Sequence, residues 1–212
     1  MKKLVFGTII AIWLLLSVPA NAQVTYSFDN ITNNSAVDAA IGKSQLFADV
    51  SDAGGSQVLF TFQNTGPEAS SITDVYFDDG TLLSLATISN SSGVHFSPGA
   101  SPSNLPSGNS ITPSFVATAG LSADADAPAQ PNGVNPGESL GITFNLQSGS
   151  TFNDVLSGLN DGSLRVGIHA QGFADGGSES FVNNGVVPAP GAVLLASMGI
   201  VCVGWLRKRG CF

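Results

Sequence analysis

Apolar side chains recur at every second position in short bursts along residues 23–187. Leu140, Ile142, Phe144 and Leu146 alternate with Gly141, Thr143 and Asn145, a period that turns one face of a strand to a core and the other to water. Leu164, Val166 and Ile168 repeat it against Arg165, Gly167 and His169, directly after the turn signal Asp161-Gly162. Val58, Phe60 and Phe62 mark a third strand that ends at Asn64-Thr65-Gly66-Pro67, and Val75 and Phe77 a fourth, closed by Asp78-Asp79-Gly80. Weaker segments at 26–28, 45–50, 82–88, 94–96, 111–117 and 179–182 bring the number to ten. Short strands punctuated by Gly, Asn, Asp and Pro predict an all-β fold: an antiparallel β-sandwich of about 8–10 strands, jelly-roll or Ig-like.

One helix interrupts the pattern. Thr151-Phe152-Asn153-Asp154 supplies an N-cap with an acid three residues on, and Val155, Leu156 and Leu159 give an apolar face, so a short connecting helix is expected there. Residues 98–137 are the least regular and hold seven of the eight prolines of 23–187. A connection this long inside a compact domain is either functional or mobile. No repeat at a fixed period occurs, which argues against a solenoid or propeller.

The two ends carry an address. Lys2 and Lys3 precede an apolar run over 4–18, then Pro19 and Ala20-Asn21-Ala22, the order of a secretory signal peptide with small residues Ala20 and Ala22 at its cleavage site. Residues 1–22 are expected to be removed; the alternative, a retained membrane helix, has to contend with the shortness of the run. At the other end, residues 191–206 carry no charge and are followed at once by Arg207-Lys208-Arg209, the basic flank of a membrane span. Sixteen residues make roughly 24 Å of helix against a ~30 Å hydrocarbon core, a short span that needs thinning or temporary residence. Val187-Pro188-Ala189-Pro190 stands before it, and its two prolines hold the backbone extended and open to a processing enzyme. The expected plan is a signal peptide over 1–22, an acidic ectodomain over 23–186, and a tail over 187–212 made of the motif 187–190, a transmembrane helix 191–206 and a basic end 207–212.

Val187-Pro188-Ala189-Pro190, then Gly191-Ala192-Val193-Leu194-Leu195-Ala196, then Gly204-Trp205-Leu206-Arg207-Lys208-Arg209 resembles a PEP-CTERM sorting signal, in a variant with Ala189 at the middle of the motif. The resemblance implies an exosortase as partner, an integral-membrane cysteine transpeptidase-like enzyme of exopolysaccharide-producing bacteria, which removes or replaces the tail. It also implies a place in the cell envelope, at the outer surface or in the extracellular matrix, after association with the inner membrane. A C-terminal anchor that is never processed is the alternative. Residues 26–183 are similar to a group of secreted proteins with this signal and no assigned activity, through Ser71-Ile72-Thr73-Asp74-Val75-Tyr76-Phe77-Asp78-Asp79-Gly80, Asn135-Pro136-Gly137-Glu138-Ser139-Leu140 and Arg165-Val166-Gly167-Ile168-His169-Ala170-Gln171-Gly172-Phe173. That likeness implies a shared fold and brings no catalytic residue.

The chain of 212 residues is 43% hydrophobic and only 10% charged, and its charges are unevenly placed. All fifteen acids but only two cations, Lys43 and Arg165, fall within 23–187, a formal charge of −13 that argues against a nucleic-acid partner. Both cysteines, Cys202 and Cys211, belong to the tail, so the ectodomain is not held by disulfides and must stand on its core. His95 and His169 are the only candidate imidazole bases, no Gly-x-Ser-x-Gly elbow accompanies them, and His169 falls on the solvent face of its strand. Fifteen acids offer no way to choose the pair that glycoside hydrolysis needs. Calcium is the one cofactor with a physical case, because closely spaced acids supply the oxygens a hard cation wants. Asp74, Asp78 and Asp79 with Gly80 are the favoured cluster, Asp49/Asp52 and Asp124/Asp126 the others. None follows an EF-hand loop, and Asp and Gly in turns need no metal. The chain thus reads as a non-enzymatic exported envelope or matrix protein with a structural or adhesive role beside exopolysaccharide. The alternative is a calcium-dependent or carbohydrate-binding β-sandwich module, tail-anchored without processing.

Overall fold

The structure, a computed structural model, describes residues 23–187. The expected cleavage residues Ala20 and Ala22, the tail residues Pro188, Ala189, Pro190, Arg207, Lys208 and Arg209, and the span 191–206 lie outside the described residues. Among the described residues no helix is long and apolar enough to cross a membrane.

In chain order the elements are β1 (Gln23–Asn30), α1 (Ala36–Gln45), β2 (Leu46–Gly54), β3 (Gln57–Asn64), β4 (Ser71–Asp79), β5 (Leu83–Asn90), β6 (Phe96–Pro98), β7 (Ser122–Ala125), α2 (Ala129–Asn132), β8 (Ser139–Leu146), α3 (Phe152–Asp161), β9 (Leu164–Gln171) and β10 (Ser178–Val187). All ten strands join one antiparallel sheet in the order β5-β8-β3-β2-β1-β10-β9-β4-β7-β6. The fold is all-β and sandwich-like, but its two layers are the two halves of a single curled sheet.

Aromatic contacts show the curl. Four strands intervene between β3 and β4 in the sheet, yet Phe77 of β4 lies edge-on to Phe60 and Phe62 of β3, with ring centroids 5.1 and 6.1 Å away. Phe144 of β8 stands 4.6 Å from the same ring. Edge-to-face pairs at these distances add to the burial of the rings themselves. Register shifts between Tyr26 and Phe28 in β1, and between Ile72 and Asp74 in β4, are bulges that let an otherwise regular ladder bend. The two outer strands then meet: Asn90 of β5 accepts from the Phe96 backbone N–H of β6 at 3.0 Å.

The alternating segments become strands as expected. In β3 the inward Val58, Phe60 and Phe62 are fully buried, and β8 and β9 follow the same rule. α3 forms at its capping box: the Thr151 hydroxyl accepts from the Asp154 N–H at 3.3 Å, and the Asp154 carboxylate accepts from the Thr151 N–H at 2.7 Å. Gly162, at φ 81°, ends it.

Three expectations need correction. First, α3 is not the sole helix: α1 and the single-turn α2 are also present. α1 begins at the N-cap Ser35 and buries Asp38, Ala39, Gly42 and Gln45, a face of small and polar residues with no apolar stripe to announce it. Gly42 sits against the Phe181 ring, where a methyl group would collide.

Second, residues 111–117 are not a strand. Together with their neighbours they form a strap across the outer face of the β10-β9-β4 half, where Leu105 and Phe115 join Tyr76 and Val182 in a second, smaller apolar cluster. Gly167 of β9 makes room for it, since a Cβ there would stand 2.8 Å from Leu105 and 3.0 Å from Phe115. Arg165 fastens the strap: it donates to the carbonyls of Pro113 (2.7 Å) and Ser114 (2.6 Å), lies 5.4 Å over the Phe115 ring and pairs with Asp78.

Third, His169 is half-buried rather than solvent-facing. Its Nδ1 is 3.1 Å from the Ser180 hydroxyl.

Truncating the ring that joins the halves tests the curl. Phe77→Ala should lower the unfolding free energy by about 3–5 kcal/mol, read from the midpoint of a denaturant melt; a loss below about 1 kcal/mol would mean that the halves are held together elsewhere.

Candidate functional site

β4 carries all three carboxylates of the favoured calcium cluster, and its pleat sends them apart. Val75 and Phe77 turn inward, so Asp74, Tyr76 and Asp78 point to the outer face, three residues of extended chain separating the two acids. Asp78 pairs with Arg165 and accepts from the Val116 N–H at 3.2 Å. Asp79 closes the turn after the strand, accepting from the N–H groups of Leu82 (3.1 Å) and Leu83 (2.8 Å). Asp74 lies 3% exposed, directly opposite Asp124 of β7. The three therefore do not converge on one point, and among the described residues no group of three or more His, Cys, Asp and Glu is placed to hold a metal ion.

The structure instead joins one member of that cluster to another. Asp74 and Asp124 are within side-chain hydrogen-bonding reach. Both line an open cleft of about 440 Å³ with Asp126, Ser97, Ser101 and Gln171. Burial pushes the Asp74 carboxyl up to about 7; the Thr73 hydroxyl, donating at 2.9 Å, works the other way, and the neighbouring Asp124 charge adds to the rise. The pair is best described as holding one proton between two carboxylates. Tyr76 stands next to it, donating to the Pro102 carbonyl at 3.0 Å, and burial followed by the two acids keeps its hydroxyl protonated. On the rim, Asp126 accepts from Ser97 at 2.8 Å.

The cleft thus offers carboxylate, amide and hydroxyl groups but no aromatic platform. A larger opening of about 490 Å³ runs between residues 67–71 and 130–136, but it is lined by Pro67, Pro131, Pro136 and neutral polar groups, with no titratable side chain. The chemistry is in the first cleft.

The remaining candidates lie elsewhere. Asp49 accepts from Thr25 and Gln63, and Asp52 from the Gly54 N–H. His95 is exposed. Burial lowers the proton affinity of His169, with Glu179 opposing, and its partner Ser180 is wholly buried and out of reach of a substrate. Val187, the first residue of the motif expected to direct sorting, ends β10 opposite Thr25 of β1. Sequence reasoning named Asp74 and Asp124 in separate clusters. What paired them is a strand, Ser-Ala-Asp-Ala, whose alternation of small apolar and polar residues is the only signal that could have suggested it. Comparison with protein-family models, curated proteins and solved structures finds no match to this chain.

A carboxyl whose proton affinity is raised on folding from about 4 to about 7 takes up a proton as the chain folds between those values, so its contribution to stability is lost as pH rises through 7. Asp74→Asn, which keeps a donor toward Asp124, should raise Tm at pH 8 and reduce the fall in Tm between pH 5 and 8, measured by calorimetry. An unchanged pH profile would overturn the shared proton.

Proposed function

We propose that this chain is a non-enzymatic exported protein of the cell envelope or extracellular matrix. It is a β-domain carried out by the signal peptide 1–22 and sorted by an exosortase through Val187-Pro188-Ala189-Pro190, the helix 191–206 and Arg207-Lys208-Arg209, with a structural or adhesive role beside exopolysaccharide. The observation that carries this reading, with the tail motif, is the position of the two chain ends. β1 and β10 are neighbours at the middle of the sheet, with Thr25 opposite Val187. Removal of a leader before Gln23 and of a tail after Val187 would leave every strand pair of the domain in place.

The cleft favours a second reading, a module that binds carbohydrate. Carboxylate, amide and hydroxyl groups around an open space of about 440 Å³ match the hydroxyls of a sugar chain. Binding fits better than cleavage, because the acid pairs of glycoside hydrolases stand about 5 Å or more apart while Asp74 and Asp124 share a hydrogen bond.

Peptide mass spectrometry of the protein from its native cell should find Gln23 as the first residue and a last residue between Val187 and Pro190. Recovery of an intact Arg207-Lys208-Arg209 end from the membrane fraction would reject processing. For the second reading, the parent protein should be retained on exopolysaccharide of the same cell and Asp126→Ala should be retained less; equal retention of both would remove the cleft from the account.

A further inference from the structure

α2 and the end of β9 divide two clefts. Ala129 and Gln171 line the one with the acid pair, whereas their chain neighbours Gln130 and Gly172 line the other, the opening of about 490 Å³ between residues 67–71 and 130–136. Ser70, 3% exposed, forms part of the wall of this second cleft. Its hydroxyl accepts from the side-chain amides of Gln45 at 2.7 Å and Asn64 at 3.1 Å, so both of its lone pairs are taken. Neither amide can turn around to accept in exchange, because the Gln45 oxygen accepts from the Glu68 N–H at 3.2 Å and the Asn64 oxygen from the Gly66 N–H at 3.1 Å. The proton of the Ser70 hydroxyl therefore has no acceptor among the described residues. A buried donor left unpaired is costly, and the space that can supply an acceptor is the cleft that Ser70 lines.

The rim carries groups that suit the same guest. Gln130 lies over the bare Gly172, where a Cβ would stand 3.2 Å from its side chain, and its exposed amide has no partner among the described residues. Asn135 donates its amide N–H groups to the Gly133 carbonyl at 3.1 Å and the Glu138 carboxylate at 3.0 Å, which leaves its side-chain oxygen open. Pro67, Pro131 and Pro136 give the walls their ring C–H faces. Pro136 is seated against Gly66, where a Cβ would stand 3.0 Å from it.

These groups select a ligand by elimination. No titratable side chain lines the cleft, so it holds no counter-charge for an ion. An unpaired buried donor and two open amides disfavour a purely apolar guest. An extended peptide needs a strand edge to pair with, or an aromatic-lined groove for a polyproline helix. Three of the lining residues are prolines with no N–H to give, and none is aromatic. A neutral polyhydroxylated ligand meets every condition: one hydroxyl accepts from Ser70, another donates to Asn135, and the ring C–H faces rest on the prolines. We propose that this cleft is a binding site for a neutral saccharide, with Ser70, Asn135 and Gln130 as its hydrogen-bonding groups. The site is distinct from the acid cleft and does not depend on what that cleft binds.

The test uses the full-length protein and exopolysaccharide of its native cell, separated by anion exchange into neutral and acidic fractions. The parent should be retained on the immobilised neutral fraction, equally at low and at high salt, because no charge takes part. Ala69→Phe, at an exposed position of the wall, should fill the cleft and weaken retention at least about tenfold. Gln130→Ala should weaken it about three- to tenfold, and both variants should keep the parent's Tm. Ser70→Ala should weaken it as well, since Gln45 and Asn64 keep the Glu68 and Val134 carbonyls as acceptors and hold the wall in place. Asp126→Ala should be retained on the neutral fraction as the parent is, which separates this site from the acid cleft. Retention on the acidic fraction alone, retention that Ala69→Phe keeps in full, or a loss in Asp126→Ala that Ala69→Phe does not share would overturn the proposal. So would retention on neither fraction, or on immobilised poly-L-proline in place of the neutral fraction.

Discussion

A sheet with one face of Phe, Val and Ile must cover that face, and this one covers it with its own other half. The cost of leaving the face wet is large, because each buried Phe or Ile side chain contributes about 1.5–3 kcal/mol. Phe77 sits where the halves meet, its ring edge-on to Phe60, Phe62 and Phe144. Much else follows from that closure. It brings the outer strands together at Asn90 and Phe96, and it leaves the back of β4 and β9 bare. That second apolar patch is what the proline-rich strap covers, held by Arg165 and admitted by the missing side chain of Gly167.

The strands that alternate Phe, Val, Ile or Leu with polar residues were legible because period two is a direct consequence of the pleat. α1 was not, although Ser35 and Asp38 stand in the spacing of a capping box. Its buried face is Ala39, Gly42, Asp38 and Gln45, and residues that pack by being small leave no hydrophobic period. Residues 111–117 misled in the opposite way. Phe115 and Ala117 do turn inward, so the alternation is real, but they bury against the strap's own floor, with the Phe115 N–H donating to the Gly108 carbonyl at 2.9 Å instead of to a strand. The acids divided along the same line. A turn carboxylate such as Asp79 could be read from Asp-Asp-Gly, whereas the meeting of Asp74 and Asp124, fifty residues apart, depends on a register that only the closed sheet sets.

With two cations for fifteen carboxylates, this domain cannot neutralise its acids by ion pairs. It satisfies them with hydroxyls, amides and backbone N–H groups: Glu179 through Asn30, Thr32 and Ser35, Asp154 through Thr151, Asp79 through Leu82 and Leu83. Such bonds are insensitive to salt compared with surface ion pairs, so the fold does not lean on the ionic strength around it. The two places where the scheme falls short are the Asp74–Asp124 pair and the buried Asp38, which has Asp175 within side-chain hydrogen-bonding reach. Both are acids set against acids, and both lie where separate elements touch.

The placement of Val187 opposite Thr25 also fixes how the domain bears a pull. Tension applied at Val187 runs along β10, which is hydrogen-bonded on one side to β1 and on the other to β9. Ladder bonds lie across the strand direction, so this load shears both ladders at once and cannot open them one bond at a time. A strand loaded in this way yields only when many bonds fail together, which makes the strand next to the tail the mechanically strongest handle of the sheet.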